Sequence, residues 1–278
     1  MNQPTESFAL ITGASGGLGQ AFALECARRG KSLILLALPD PRLPALARHL
    51  ADQYGVRVIV RAIDLTDGDA LDRTLRDLAA HYRVDWLINN AGIGGTARFS
   101  QAPADLMDQI IQLNIRSTVM LTRAFLPGML QRNSGLILNV SSIAAFAPVA
   151  YKTVYPASKT FILAFSQGLQ EEYRSTGLQI SVLHPGAILT NFNTAHRVMA
   201  QGWLGRQSAL MAGQIARGAV AGALRGRTLM VPGRVNQLQY YLARLLPTRL
   251  YLALSSAVVR RELQATATIS STPVKQVA

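Results

Sequence analysis

Short runs rich in Val, Ile and Leu recur along the chain at residues 8–12, 33–37, 56–62, 86–89, 136–140, 179–183 and 228–231. They are continuous rather than alternating in polarity, which predicts strands buried on both faces. Between them, apolar residues fall at helical spacing over residues 18–29, 43–53, 70–81, 106–130 and 155–175. Strand and helix in alternation predict βαβ units with right-handed crossovers. The expected fold is therefore α/β, a doubly wound parallel sheet of about seven strands with helices on both faces.

The pattern changes after Val231. Pro232 and Gly233 are followed by apolar stretches at 237–246 and 250–261, separated by Pro247 and interrupted by Arg244, Arg249, Arg260 and Arg261. Charges at that density argue against a buried span and predict two amphipathic helices broken at the proline. We read residues 1–233 as one domain and 234–278 as a helical extension packed on it, with a disordered tail after about residue 266. The apolar face of the extension has two readings: packing on the domain, or service as a lid, an oligomer contact or a membrane-surface element.

Composition narrows the classes. With 278 residues and 49% apolar content, the chain can bury one sizeable core. Residues 1–7 carry no Lys or Arg, and the run at 8–12 is far shorter than a leader or a membrane span, so a cytoplasmic location is expected. A single cysteine, Cys26, and four histidines without a His-x-x-x-His pair give no support to disulfide or metal chemistry. The net charge of +13 is unevenly spread: residues 1–172 hold 16 Lys/Arg and 14 Asp/Glu, whereas residues 173–278 hold 12 Lys/Arg and only Glu262. Such a bias suits an anionic partner, whether a phosphate-bearing substrate or acidic lipid, and equally a protein that merely keeps its charge away from zero. Nucleic acid is not expected, because the arginines are spread out with no compact basic cluster.

Directly after the first strand comes Thr12-Gly13-Ala14-Ser15-Gly16-Gly17-Leu18-Gly19, leading into a helix. Glycines there let the backbone approach a pyrophosphate, whose charge sits at the helix N-terminus among unpaired amides, as in a Rossmann fold. Asp64-Leu65 after the third strand and Asn89-Asn90-Ala91-Gly92 at the end of the fourth give the loop its context. The same stretch contains Gly13-x-Ser15-x-Gly17, which matches a hydrolase nucleophile elbow. That elbow needs a later acid, and no Asp or Glu lies between Glu172 and Glu262. No Gly-Lys-Ser/Thr ends the loop, so a nucleoside triphosphatase is excluded.

Taken with Asn114, Ser141-Ser142, Tyr155-x-x-x-Lys159 and Pro185-Gly186-x-x-x-Thr190, these motifs resemble the short-chain dehydrogenase/reductase family in order and spacing, from about residue 8 to 233. Residues four apart on a helix share a face, so Tyr155 and Lys159 can address one substrate. An adjacent ammonium and a positive nicotinamide ring would favour an ionised Tyr155. The resemblance implies a ketone/alcohol oxidoreductase with Asn114, Ser142, Tyr155 and Lys159 as catalytic residues: Tyr155 as acid/base, Ser142 on the substrate oxygen, Lys159 on the nicotinamide ribose, and Asn114 holding a water of a proton relay. It further implies cofactor contacts from Gly13, Ser15, Gly17, Leu18, Gly19, Asp64, Leu65, Asn90, Ala91, Gly92, Tyr155, Lys159, Pro185, Gly186, Ile188 and Thr190.

The second strand ends Leu36-Ala37-Leu38-Pro39-Asp40-Pro41-Arg42, with Ala37 and Leu38 where relatives carry the acid or arginine that separates NAD(H) from NADP(H). Asp40 and Arg42 predict opposite answers; the run Arg42-Leu43-x-x-Leu46 resembles the subgroup using NADP(H), which is favoured. Met199, Trp203, Leu204 and Met211 read either as an apolar lid or as core. The basic C-terminal part is similar to a branch that reduces steroids and long-chain acyl substrates, so a hydrophobic carbonyl or alcohol is expected, in a homo-oligomer formed through the helices carrying Asn114 and Tyr155. The competing function is a dinucleotide-binding regulatory protein without turnover.

Overall fold

Alternate residues of the first two strands go to opposite sides of one sheet. In β1 (Ser7–Thr12), Ala9 and Ile11 join one buried cluster while Phe8 and Leu10 join another; in β2 (Ser32–Ala37), Leu33 and Leu35 divide from Ile34 and Leu36 in the same way. That is why these strands read as unbroken apolar runs: both faces are covered. This computed structural model describes residues 6–189 and 209–270.

The chain continues through α1 (Gly17–Arg28), α2 (Arg42–Tyr54), β3 (Val58–Ala62), α3 (Gly68–His81), β4 (Arg83–Asn89), α4 (Ala104–Ile110), α5 (Ser117–Gln131), β5 (Gly135–Val140), α6 (Val154–Glu172) and β6 (Leu178–Leu183). After the short β7 (Ile188–Leu189) come β8 (Leu210–Met211), α7 (Ala212–Leu224), β9 (Leu229–Met230), α8 (Arg234–Leu245) and α9 (Thr248–Ser270). Seven strands form a parallel sheet in the order β3-β2-β1-β4-β5-β6-β9. This is the expected doubly wound Rossmann-type fold. The chain moves outward from β1 to β3 and then crosses back to β4 on the other side of β1. The resulting switch point opens a crevice beyond the carboxyl ends of β1 and β4.

One face is covered by Leu18, Phe22 and Cys26 of α1, Leu43 and Leu50 of α2, and Ile215, Ala219 and Val220 of α7. Leu71, Leu75 and Leu78 of α3 and Leu121, Phe125 and Met129 of α5 cover the other. Burying each such leucine or phenylalanine contributes about 1.5–3 kcal/mol, so the sheet and its two layers supply the main driving force.

Two departures from the sequence reading matter for the site. The single helix expected over 106–130 is interrupted by a π-helical turn at Ile111–Arg116, a feature that often marks functional positions. The β7–β8 pair and the glycine-containing α7 were not expected at all. The two C-terminal helices do break at Leu246-Pro247, where Leu246 is extended. No helix among the described residues is long and apolar enough to cross a membrane.

Candidate active site

The ends of β1 and β4 are fastened together by Thr12. Its Oγ1 accepts from the amides of Asn90 and Ala91, both at 2.9 Å, and Asn90 Nδ2 donates back to the Thr12 carbonyl at 2.9 Å. Beyond Thr12 the backbone turns at Gly13 (φ +66°), and a side chain there would press on Asn90 and Ala91. A Cβ on Gly19 would lie 2.1 Å from the Gly13 carbonyl oxygen, so the glycine lets α1 start directly against the turn. At that start Gly16 provides no side-chain cap and the first turn has no acid. Its first amides are therefore available to an anion.

A cleft of about 850 Å³ runs from this loop to the far side of the switch point. It is lined by Gly13, Ser15, Gly17, Leu18 and Gly19, by Asp64, Leu65, Asn90, Ala91 and Gly92, and by Ser142, Tyr155, Lys159, Pro185, Gly186 and Ile188. All sixteen were singled out from sequence. Thr190, Met199, Trp203 and Leu204 lie outside the described residues. Met211, at the head of α7, is exposed.

Burial sets the chemistry at the inner end. Lys159 Nζ is buried, donates to the Val140 carbonyl at 3.0 Å and lies 5.9 Å from the centre of the Tyr155 ring. Desolvation pulls its pKa down to about 8. Tyr155 is hydrogen-bonded to Ser142, which favours ionisation, but burial outweighs this and holds the phenol above its usual value. The protonated phenol is thus its form near neutral pH, rather than the phenolate that the adjacent ammonium alone would favour. Ser142 Oγ accepts from the Ala144 amide at 3.2 Å, whereas Ser141 Oγ donates to the Lys159 carbonyl at 2.8 Å and ties β5 to α6. The two serines therefore do different work, and Ser142 is the one that meets Tyr155.

Asn114 sits behind the cleft rather than in its wall. Its Oδ1 accepts from the Ile93 amide and its Nδ2 donates to the Ile93 carbonyl and to Ser158 Oγ, each at 2.9 Å. The π turn carries it against the Asn90–Ile93 segment, where a Cβ on Gly92 would meet both Asn114 Oδ1 and Lys159 Nζ at about 3 Å.

Asp64 spends Oδ1 on the amide and hydroxyl of Thr66, at 2.8 and 2.7 Å. Asp40 is clamped by Arg42 through Nε and Nη2, at 3.0 and 2.7 Å, and Arg42 beside it holds its carboxyl down at about 2. Ala37 and Leu38, not Asp40, face the cleft at the end of β2.

Sequence reading missed three supporting residues. Thr12 appeared only as a motif letter. Asn236 of α8 is buried, donates to the Pro232 carbonyl at 2.7 Å and closely approaches Gly186. His184 is fully buried, with Nδ1 3.0 Å from the Ser142 carbonyl oxygen and its ring against Phe146. The signal for His184 was a histidine ending an apolar strand.

The glycine turn, the uncapped helix start and the volume of the cleft fit a dinucleotide. Residues 7–201 match the family model of the short chain dehydrogenases. The chain is 35% identical over 192 residues to a very-long-chain 3-oxoacyl-CoA reductase of Anas platyrhynchos, covering 67% of this chain and 61% of the relative. It is 33% identical over 180 residues to the inactive hydroxysteroid dehydrogenase-like protein 1 of Rattus norvegicus, covering 64% and 54%. It thus spans less than two thirds of these curated relatives. Among solved structures, a short-chain dehydrogenase from Sphingobium yanoikuyae in complex with NADPH is similar at TM-score 0.72 and 29% identity, covering 98% of each chain.

Proposed function

The chain belongs to the short-chain dehydrogenase family, and we propose that it is a nicotinamide-dependent oxidoreductase interconverting a ketone and a secondary alcohol on a hydrophobic, acyl-chain or steroid-like substrate. The observation that carries this reading is the placement of Tyr155, hydrogen-bonded to Ser142 beside the buried Lys159, in a cleft that begins in a phosphate-type loop.

The amides at the start of α1 and the Gly13 turn would hold the pyrophosphate, Leu65 and Asp64 would contact the adenine, and Lys159 would hold the nicotinamide ribose. Bound there, the dinucleotide supplies hydride for carbonyl reduction and accepts it in the reverse reaction. Tyr155 gives its phenolic proton to the carbonyl oxygen as that oxygen gains charge, and takes the proton back from the alcohol in oxidation. Ser142, one of whose two Oγ lone pairs accepts from the Ala144 amide, turns its O–H toward the same oxygen and stabilises the developing charge. The Lys159 ammonium lowers the cost of the tyrosinate left behind. Asn114 fixes Ile93 and Ser158 and so keeps the strand end and α6 in register for this exchange.

NADP(H) is the favoured cofactor. No acid at the end of β2 faces the cleft to accept bonds from a ribose 2′-hydroxyl, and Asp40 is already engaged by Arg42. Assembly into a homo-oligomer through the helical segment that carries Asn114 and through α6, which carries Tyr155, is supported by the exposed Ile111 of the π turn and by the exposed Phe161 stacked on Phe165.

Incubating the purified protein with NADPH or NADH and a graded series of 3-oxoacyl thioesters and bulky ketones tests the reading. Consumption of NADPH with equimolar alcohol, faster as the substrate becomes more apolar, is expected. Binding of cofactor with no consumption across the series would favour the regulatory alternative, for which the 33% identity to a relative named as inactive is the specific support.

A further inference from the structure

Both C-terminal helices carry apolar residues on their outer sides as well as against the domain, where Val259 of α9 is buried. On α8 the side facing the domain carries the buried Asn236 and the half-buried Gln239, Tyr240 and Ala243, with Tyr240 seated edge-on against Phe146. The outer side carries Leu238, Tyr241, Leu242 and Leu245, all exposed, with Leu245 at 79%. These four fall at i, i+3, i+4 and i+7, one continuous stripe. On α9 the buried Ser256 accepts from the Ala150 amide at 3.2 Å on the domain side. Leu250, Ala253, Leu254 and Ala257 are exposed at the same i, i+3, i+4, i+7 spacing. Isolated exposed leucines are ordinary, but a four-residue exposed stripe on each of two successive helices is not, and clustered exposed apolar residues mark an interaction site.

The surrounding charge selects the occupant. Arg234 lies one turn before Leu238 on the same side of α8, and Arg249 and Arg260 flank the stripe on α9, while Arg244 is engaged with Tyr240; between residues 209 and 260 there is no acidic residue. A second copy would bring like charges together across the contact, and phosphate recognition by nucleic-acid binders does not call for leucine stripes. An apolar stripe rimmed by arginine is what an interfacial helix presents to an anionic bilayer, with leucines below the headgroups and guanidinium groups among the phosphates.

We propose that α8 and α9 dock the protein peripherally on an anionic lipid surface through the Leu238–Leu245 and Leu250–Ala257 stripes. This stands apart from the redox reading, because it needs neither cofactor nor turnover.

Flotation of the full chain with vesicles of phosphatidylcholine alone, or mixed equally with phosphatidylglycerol, tests it. The protein floats with the mixed vesicles, stays behind with pure phosphatidylcholine, and is released as salt rises. The triple variant Leu238→Ser/Leu245→Ser/Leu254→Ser changes only exposed positions and binds at least ~10-fold more weakly. Leu24→Ser, at an exposed site on α1, binds like the unmodified chain. Absence of flotation on the anionic vesicles, or equal flotation of the triple variant, overturns the proposal. So does concentration-dependent self-association, measured by sedimentation without lipid, that the triple variant abolishes: a second copy would then own the stripes.

Discussion

His184 Nδ1 lies 3.0 Å from the carbonyl oxygen of Ser142, the residue hydrogen-bonded to Tyr155. A carbonyl can only accept, so Nδ1 carries the proton, and Nε2 is left buried with no hydrogen-bond partner among the described residues. Phe146 sits on the ring at 4.4 Å between centroids, and Tyr240 of α8 sits on Phe146 at 4.5 Å. The backbone of the proposed substrate-binding serine is thus held by a neutral histidine that the C-terminal helix helps to enclose.

Burial pulls the His184 pKa from 6.5 down to about 4. The unfolded chain therefore takes up a proton that the folded chain refuses. Stability from this group is complete above pH 6.5 and is lost as pH falls toward 4. It amounts to about 3 kcal/mol, because each tenfold difference in proton affinity between the two states is worth about 1.4 kcal/mol. His184→Asn keeps a donor for Ser142 and cannot titrate. Urea unfolding at pH 7 and pH 5 is expected to show a smaller pH dependence for this variant than for the unmodified chain; identical dependence would place the acid sensitivity elsewhere.

Lys159 gives a second pH signature, with the ammonium lost as pH rises through about 8. For carbonyl reduction, kcat/KM should fall across that range. In Lys159→Arg the cation persists, so the variant, whatever its absolute rate, lacks that limb. The stability sign is also fixed: below about 8 the fold bears the cost of a buried ammonium, and it regains stability between about 8 and the ordinary value of 10.5.

Cofactor choice is testable at Leu38, which faces the cleft and is exposed. Leu38→Asp sets an acceptor where a ribose 2′-hydroxyl can use it and repels a 2′-phosphate. NADPH affinity should drop at least ~10-fold while NADH affinity holds or rises, as read by titration calorimetry. An unchanged ratio would move discrimination away from the end of β2.

Much of this was legible in the chain because the physics is local. Leu33 to Leu36 read as a buried strand because both faces are covered, and Gly13 and Gly19 declare themselves by sitting where a side chain would strike backbone. The Tyr155–Lys159 spacing follows from helical geometry. What stayed hidden depends on contacts distant in sequence. Asn114 stood out through the family resemblance, but the π turn that carries it did not, and that turn becomes intelligible only when Ile93 and Ser158 arrive as partners. His184 reads as a strand end until Ser142, forty-two residues earlier, supplies its acceptor. The β7–β8 pair is two residues per strand, too short for any period. On α8, the apolar pattern correctly predicted an amphipathic helix but not which side would face the domain.

That Tyr155 is the acid of a cofactor-dependent reduction is tested most directly in a single turnover. NADPH is titrated into the unmodified protein and into Tyr155→Phe, a ketone that the former reduces is added, and cofactor oxidation is followed. Comparable cofactor binding by both is expected, with oxidation slowed by ~100-fold or more in the variant. Equal single-turnover rates would contradict the proposed role, and failure of the unmodified protein to bind either NADPH or NADH would remove the dinucleotide from the Gly13–Gly19 loop altogether.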